Sequence, residues 1–319
     1  MSLVVRRARR WGALAPLLVL ASCTTLAVPH RTAPSTEPGT AQLDLRVGDA
    51  DRTYLLHVPP HPPRRFGFAG QYPLLIVLHG SGASGQTIRQ ISHLDSLADR
   101  AGMVVVYPDA TRNWLGLQSD WNAGACCGGA ARNQVDDVGF LRALVAHVET
   151  GLRVDRRRVF VAGFSDGARM AYRAGCELSD EVAAMGIVAG SLVTANCRPR
   201  RPVPLIAFHG TEDSEVSFTD PAFSTSARGD PPVSILVPPA VRFWASNNGC
   251  REASVASVSP NVVRATYAGC AANVVFYSVK GGGHAWPGGE PDGDDGDTPT
   301  NEVSASAEMM RFFLRHPLR

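Results

Sequence analysis

Short apolar runs alternate with segments of helical periodicity along most of the chain. Segments 43–47 and 54–58 alternate apolar and polar residues, which predicts an opening β-hairpin. The runs at 74–78 (LLIVL) and 103–107 (MVVVY) are apolar throughout, as expected of strands that are buried on both faces. Further strands are predicted at 159–162, 183–188, 205–208 and 274–279, and helices at 88–100, 135–151, 168–174, 241–247 and 304–315. The alternation predicts an α/β fold whose mostly parallel sheet has helices on both faces.

The first 22 residues have a pattern of their own. Four arginines between residues 6 and 10 precede an apolar stretch at 11–20, which is too short for a membrane-spanning helix. This pattern predicts a secretory signal peptide over residues 1–22, and its paired arginines also allow twin-arginine export. The stretch ends in LASC at 20–23, which is similar to the lipobox of bacterial lipoproteins. We therefore predict that Cys23 carries lipid; the alternative is an ordinary signal peptide that leaves Cys23 as a free thiol.

The segment that follows the signal has no hydrophobic periodicity. Residues 23–41 are rich in threonine, proline and alanine, which predicts a flexible, lipid-anchored tether. From residue 42 to residue 319 the composition does not shift and no internal repeat is found. We predict that residues 42–319 form one catalytic domain.

Composition and charge narrow the classes of protein and partner. Of the 319 residues 45% are hydrophobic and 19% are charged, which excludes a largely disordered chain and a polytopic membrane protein. The net charge of +2 depends on the arginines of the signal, without which acidic residues are in slight excess. A nucleic-acid partner therefore has no electrostatic support. The expected membrane contact is the lipid on Cys23.

The cysteines support export to an oxidising compartment. Six of the seven remain when Cys23 is set aside, an even number that suits disulfide bonds. Six cysteines allow 15 pairings. Pairing of near neighbours predicts Cys176–Cys197 and Cys250–Cys270, and the adjacent pair Cys126–Cys127. A metal site is the alternative, but no CxxC spacing or histidine cluster accompanies these residues.

The sequence Gly163-Phe164-Ser165-Asp166-Gly167 is the main candidate for chemistry. This G-x-S-x-G follows a predicted strand and precedes a predicted helix, which is the context of a nucleophile elbow. Such a turn lifts the serine hydroxyl clear of the sheet and needs glycine where side chains would clash. We predict that Ser165 is a catalytic nucleophile.

A nucleophilic serine needs a base and an acid, which α/β-hydrolases supply in the chain order serine, acid, histidine. His284 lies in a glycine-rich loop directly after the strand at 274–279 and is the predicted base. Asp213 follows the strand at 205–208 and is the predicted acid, which would hold the imidazole tautomer. Glu212, Glu215 and Asp220 remain alternatives, and His209 is assigned a supporting structural role.

The oxyanion hole needs two backbone donors. One is expected from the residue after the nucleophile, the N–H of Asp166, where the start of a helix adds a favourable dipole. The other is expected from the loop HGSGASG at 79–85, which follows an early strand. Ser81 is the predicted donor, with Gly82 as the alternative.

Other residues could bind substrate or metal. Trp121 and Trp286 lie beside the candidate loops and could stack on a substrate, although core packing would explain them equally well. Asp136 and Asp137 could ligate a metal, but acidic residues at a helix start are the simpler interpretation. The segment 292–297 (DGDDGD) suggests a calcium loop, but its glycine is misplaced and no closing glutamate follows. We predict a solvated acidic loop and no metal or organic cofactor.

These motifs resemble those of secreted poly(3-hydroxybutyrate) depolymerases and feruloyl/acetylxylan esterase-like proteins. The matching stretches cover most of residues 43–319: LLIVLHGSGASG, WNAGACCG, VDDVGFLRAL, RVFVAGFSDGARMAY, PLIAFHGTEDSEV, GGGHAWPG and RFFLRHPL. The resemblance implies an α/β-hydrolase fold and an ester hydrolase whose triad is Ser165, Asp213 and His284. The acidic segment after Pro287 departs from the family pattern and leaves the ester open among short-chain, hydroxyalkanoate, feruloyl and acetyl esters.

Two other functions fit the same residues. A serine peptidase uses the same triad on amides. A surface lipoprotein could use the hydrolase fold only as a scaffold for binding. The ordered set of serine, aspartate and histidine favours the esterase, and the oligomeric state stays open.

Overall fold

A ten-stranded sheet forms the centre of the described part of the chain. The computed structural model describes residues 29–63, 70–112, 119–219, 238–294 and 296–318. The strands are β1 (Gly39–Val47), β2 (Ala50–Val58), β3 (Tyr72–Leu78), β4 (Val104–Pro108), β5 (Thr111–Arg112), β6 (Ser119–Asp120), β7 (Val154–Phe164), β8 (Ala184–Val188), β9 (Leu205–Gly210), β10 (Glu252–Ser259), β11 (Val262–Ala268) and β12 (Val274–Val279). The pair β5–β6 forms a separate two-stranded sheet.

The order of the large sheet is β1-β2-β4-β3-β7-β8-β9-β12-β11-β10. The six central strands, from β4 to β12, are parallel, and antiparallel hairpins close both edges. Because β7, β8, β9 and β12 are parallel neighbours, the loops that follow them meet at one edge of the sheet. This edge is where the candidate catalytic residues were expected.

Helices cover both faces of the sheet, as predicted. They are α1 (Gly85–Ser92), α2 (Leu94–Ala101), α3 (Gly128–Arg132), α4 (Asp137–Val148), α5 (Asp166–Glu177), α6 (Pro239–Asn247) and α7 (Ala305–Arg315). Alternate residues of β3 point into the two cores: Leu74 and Ile76 pack on the side of α4, α5 and α6, whereas Leu75 and Val77 pack on the side of α1, α2 and α7. The apolar runs thus form strands that are buried on both faces.

The prediction of secondary structure was wrong for one helix and missed several elements, among them α3 and the short strands β5 and β6. The helix expected at 88–100 is two helices, because His93 adopts a left-handed backbone (φ 52°) that ends α1 and starts α2. The strands β10 and β11 were missed. Strand β10 lies at the edge of the sheet, and each of its residues keeps some contact with solvent. Its valines are separated by serine and alanine, and so its sequence lacks an apolar run.

The N-terminal boundary of the domain also differs from the prediction. Residues 39–41, which were assigned to the tether, are the first residues of β1, and Ala41 is fully buried. Upstream of them, the N–H of Arg31 donates to the carbonyl of Gln42, and the N–H of Gln42 donates to the carbonyl of Pro29. The segment from residue 29 therefore packs on the domain. The predicted signal peptide and Cys23 lie outside the described residues.

Three disulfides join the six cysteines of the described residues, in the predicted pairs Cys126–Cys127, Cys176–Cys197 and Cys250–Cys270. Among the helices that the structure describes, none has the length and apolar character needed to cross a bilayer.

Candidate active site

Ser165 lies at a sharp turn between β7 and α5. Its backbone has φ 55° and ψ −117°, a conformation that non-glycine residues rarely adopt and that recurs at functional turns. The N–H of Ser165 donates to the carbonyl of Val188 at 3.1 Å, which fixes the turn against the end of β8. The side chain is partly exposed at the edge of the sheet. This is the geometry expected of a nucleophile elbow.

Glycines make this turn possible. A Cβ on Gly163 would collide with the carbonyl of Gly167, and a Cβ on Gly167 would collide with the carbonyls of Leu78 and His79. The loop after β3 also approaches the serine closely, since a Cβ on Gly80 would lie 3.3 Å from the Cβ of Ser165. The G-x-S-x-G spacing therefore has a steric cause.

Asp213 and His284 meet because the loops after β9 and β12 are joined by hydrogen bonds. The N–H of Glu212 donates to the carbonyl of Gly282 at 2.9 Å, and the N–H of Gly281 donates to the hydroxyl of Thr211 at 2.9 Å. Across this junction the Nδ1 of His284 lies 2.9 Å from Oδ2 of Asp213. Both side chains are buried.

Several donors converge on the carboxylate of Asp213. Its Oδ1 accepts from the N–H groups of Glu215 (3.0 Å) and Val216 (2.8 Å), and His209 Nε2 lies 3.2 Å from Oδ2. Burial would raise the pKa of Asp213, but hydrogen bonds from His209, His284 and the Val216 N–H outweigh burial and lower this pKa well below its ordinary value. Asp213 is therefore ionised at neutral pH. His209, predicted as structural, also donates from Nε2 to the carbonyl of Val216 at 2.8 Å.

The ionised carboxylate determines the tautomer of His284. Because Asp213 can only accept, the proton lies on Nδ1 and the lone pair lies on Nε2, as a general base requires. The ring of His284 packs at 4.9 Å from the ring of Phe164, the residue directly before Ser165. Of the alternative acids, Glu215 is exposed and its Oε2 lies 3.7 Å from His284 Nε2, whereas Asp220 lies outside the described residues.

The acidic segment after Pro287 contacts the loop that carries His284. Oδ2 of Asp297 accepts from the backbone N–H of His284 at 2.6 Å, and a Cβ on Gly283 would collide with the carboxylate of Asp297. The prediction of a solvated acidic loop was therefore incomplete, because one of its carboxylates positions the loop of the candidate base.

The predicted oxyanion loop is held in place from both sides. His79 is fully buried, its Nε2 accepts from the N–H of Ala110 (3.0 Å), and its Nδ1 therefore donates to the carbonyl of Gly80 (2.7 Å). Burial lowers the pKa of His79 and keeps it in this neutral form. The hydroxyl of Ser81 donates to Oδ1 of Asp120 at 2.7 Å. The N–H of Gly82, the alternative donor, already donates to the carbonyl of Ser119 at 2.8 Å.

Asp166 has a role that its sequence position did not predict. Its carboxylate is buried, and its Oδ2 accepts from the backbone N–H of Trp121 at 2.8 Å. Its Oδ1 is buried and has no hydrogen-bond partner among the described residues. Burial raises the pKa of Asp166 to about 7, although the Trp121 N–H and Arg169 oppose this change. Asp166 thus joins the nucleophile elbow to the segment that begins at β6.

We predict that Asp166→Asn stabilises the protein more at pH 8 than at pH 5. An asparagine oxygen can still accept from the Trp121 N–H. Because folding raises the pKa of Asp166 from 3.8 to about 7, the stability that this group contributes is full below about pH 4 and is lost as the pH rises to about 7. The variant avoids this loss, so its free energy of unfolding should exceed that of the natural protein by up to about 4 kcal/mol at pH 8.

Thermal or urea unfolding at the two pH values measures this difference. Asp49→Asn, at the exposed turn between β1 and β2, is the matched control. It should change the free energy of unfolding by the same small amount at both pH values. A pH-independent effect of Asp166→Asn would contradict the prediction.

The adjacent cysteines lie beside the same carboxylate. Nη1 of Arg169, one turn after Ser165, contacts both sulfurs at 3.4 and 3.5 Å. The sulfurs and a carboxylate oxygen of Asp166 lie within 4.8 Å of one another. Because the two sulfurs are bonded to each other, they do not offer the thiolates that a metal site needs.

Trp121 and Trp286 are core residues, and the predicted stacking on substrate was wrong for both. Trp121 is fully buried, and its indole N–H donates to the carbonyl of His79 at 3.0 Å. Trp286 is 1% exposed, and its indole N–H donates to the hydroxyl of Ser306 at 2.9 Å. Closeness in sequence to the candidate loops did not indicate which way the rings point.

The carboxylates at the start of α4 also have structural partners. Asp136 accepts from the N–H of Gly139 at 2.8 Å and caps the helix, as predicted. Asp137 is fully buried, where it pairs with Arg52 at 2.9 Å and accepts from the N–H of Asn122 at 2.8 Å. Both carboxylates therefore have a structural role at the start of α4.

Comparisons with known proteins agree with this geometry. The sequence profile of the family described as "Esterase PHB depolymerase" matches residues 53–234. The putative esterase NocK of Nocardia uniformis subsp. tsuyamanensis is 30% identical over 277 residues, which are 82% of this chain and 78% of NocK. Feruloyl esterase B of Piromyces equi is 31% identical over 228 residues, 69% of this chain but only 41% of that longer relative.

A solved structure shares the fold. The acetyl xylan esterase from Aspergillus awamori matches with a TM-score of 0.57 and 14% identity, over 86% of this chain and 98% of that one. This likeness confirms the predicted α/β-hydrolase fold.

Proposed function

The chain belongs to the esterase PHB depolymerase family of carboxylic ester hydrolases, and we propose that it cleaves its ester through an acyl-enzyme intermediate on Ser165. The observation that carries this proposal is the hydrogen bond between His284 Nδ1 and the buried Asp213 carboxylate, beside the strained turn of Ser165. This arrangement leaves Nε2 of His284 as the free base at the edge of the sheet where the Ser165 hydroxyl is exposed.

In the first half-reaction Ser165 Oγ attacks the ester carbonyl carbon while His284 Nε2 takes the hydroxyl proton. The imidazolium that forms is stabilised by Asp213, which stays ionised. His284 then gives the proton to the alcohol as it leaves. In the second half-reaction His284 takes a proton from water, the hydroxide attacks the acyl carbon, and Ser165 regains its proton as the acid departs.

The oxyanion of each tetrahedral intermediate needs backbone donors. We assign the N–H of Asp166, at the first turn of α5, and the N–H of Ser81 to this task. Support for Ser81 comes from the approach of Gly80 to Ser165, and from the Gly82 N–H, which already donates to the carbonyl of Ser119. His79 and Asp120 are positioning residues, because they hold this loop by hydrogen bonds to Gly80 and Ser81.

The substrate is a small-molecule or polymeric carboxylic ester. The names of the relatives favour feruloyl or acetyl esters, and the family name adds hydroxyalkanoate esters. Because Trp121 and Trp286 are buried, an aromatic ring of the substrate would have to pack against other residues.

We also propose that the enzyme is exported and held at a membrane. The signal peptide of residues 1–22 would direct export, lipid on Cys23 would anchor the chain, and the residues up to 28 would tether the domain. Three disulfides within the domain support an oxidising compartment.

A fluorophosphonate probe tests the nucleophile directly, since it reacts with an activated serine whatever ester the enzyme prefers. Labelling followed by peptide mass spectrometry should place the phosphonate on Ser165, and Ser165→Ala should abolish labelling. Ser257→Ala, on the edge strand β10, is the control, and the probe should still label this variant on Ser165. Hydrolysis of p-nitrophenyl butyrate and of a matched p-nitroanilide separates an esterase from a peptidase. Labelling of another serine, or faster cleavage of the anilide, would contradict the proposal.

A further inference from the structure

A groove of about 750 Å³ lies on the α7 side of the sheet, toward the starts of β9 and β12. Its walls come from these strands, from β11 and from α7. The described residues that line it do not include Ser165, Asp213 or His284, whose loops follow the opposite ends of the strands. The groove is therefore separate from the candidate active site.

The lining of the groove is strongly basic. Arg201, Arg264, Arg311 and Arg315 line it, and Glu308 is the one acidic residue among the described lining residues. Glu308 pairs with Arg311, so the other three guanidinium groups carry a local excess of positive charge. Positive charge gathered in a concave site attracts anions.

Arg201 shows that this charge is incompletely satisfied within the protein. Its terminal nitrogens donate to the carbonyls of Pro202 (3.0 Å) and Val182 (2.6 Å), but its Nε is buried and has no hydrogen-bond partner among the described residues. Burial lowers the pKa of Arg201, and the nearby carboxylate of Asp180 opposes this change without reversing it. An anion in the groove would compensate a guanidinium that the fold has partly desolvated.

The groove also has an apolar side. Ile206, Val275 and Phe312 line it together with prolines 202, 204 and 317. A purely hydrophilic anion would gain nothing from this surface, whereas a neutral apolar molecule would leave the arginines unused. The volume lies in the range of small-molecule sites.

We propose that this groove binds a small amphiphilic carboxylate, whose apolar body packs on Phe312 and Val275 and whose carboxylate pairs with Arg264 and Arg315. These two arginines come from different walls, β11 and the last turn of α7. Guanidinium groups suit this ligand because their planar fork matches a carboxylate. The proposal does not depend on the reaction assigned to Ser165.

Calorimetric titration of trans-cinnamate into Ser165→Ala tests the groove in a protein that cannot turn over an ester. We expect saturable binding that weakens at high salt, and at least about tenfold weaker binding in Arg264→Gln/Arg315→Gln. Arg46→Gln, exposed on β1, is the matched control and should bind as Ser165→Ala does. Cinnamyl alcohol, which has the same body without the charge, should bind at least about tenfold more weakly.

Several results would overturn the proposal. The first is that cinnamate does not bind at millimolar concentration, or that anionic lipid vesicles bind where free cinnamate does not. The second is that the double variant binds cinnamate as tightly as Ser165→Ala does. The third is that cinnamyl alcohol binds as tightly as cinnamate. If the double variant does not fold, the single variant Arg315→Gln serves, because this side chain is exposed at the end of α7. When the double variant is made in the natural protein, which keeps Ser165, its esterase activity should equal that of the natural protein. This result would separate the groove from the active site.

Discussion

Replacing Ser165 by alanine is expected to lower kcat for p-nitrophenyl butyrate by about 10⁵- to 10⁶-fold. The hydroxyl oxygen is the only heavy atom removed, and the acyl-enzyme cannot form without it. The turn itself should survive, because its strained backbone is supported by the close packing of Gly163 and Gly167 and by the Ser165 N–H bond to Val188. Steady-state kinetics and unfolding curves on the same preparation measure both effects.

The loss of activity must be separated from a loss of fold. Ser165→Ala should unfold within a few degrees of the natural protein, since alanine occupies the same backbone conformation with one atom fewer. Ser257→Ala, on the exposed edge strand, should keep full activity. Retention of more than about 1% of kcat by Ser165→Ala would show that another group attacks the ester.

The candidate site could be predicted from the sequence where its residues follow strands. Ser165, Asp213 and His284 each come directly after an apolar run, and parallel strands bring the loops at their carboxyl ends to one edge. The chain order of the three residues then matched the order that hydrolases use. The central strands were predicted for the same reason, because burial on both faces demands a continuous apolar run.

The parts that could not be predicted depend on contacts between distant segments. Asp297 binds the His284 N–H only because the acidic segment folds back on its own loop. Asp166 was expected to act through its N–H, and no local pattern shows that its carboxylate holds Trp121. Likewise, the break at His93 leaves the helical periodicity of 88–100 intact, so a pattern of apolar positions cannot reveal it.

Replacing Asp213 by asparagine is expected to lower kcat for the same ester by about 10⁴-fold, with a much smaller change in KM. Ionised Asp213 accepts from Nδ1 of His284 at 2.9 Å, which leaves Nε2 unprotonated. An amide lacks the charge that stabilises the imidazolium and can present an N–H to Nδ1 instead. The imidazole would then carry its proton on Nε2 and could not take the proton of Ser165.

The neighbouring carboxylate provides the comparison that identifies the acid. Glu215 Oε2 lies 3.7 Å from His284 Nε2, but this side chain is exposed and solvent screens its charge, so Glu215→Gln should cost less than about threefold. Asparagine at 213 can still accept the N–H groups of Glu215 and Val216 through its oxygen, so the loop after β9 should keep its fold. A large loss of kcat with little change in Tm would therefore identify Asp213 as the catalytic acid. Equal losses in the two variants would instead show that both carboxylates share the imidazole and would contradict the assignment to Asp213 alone.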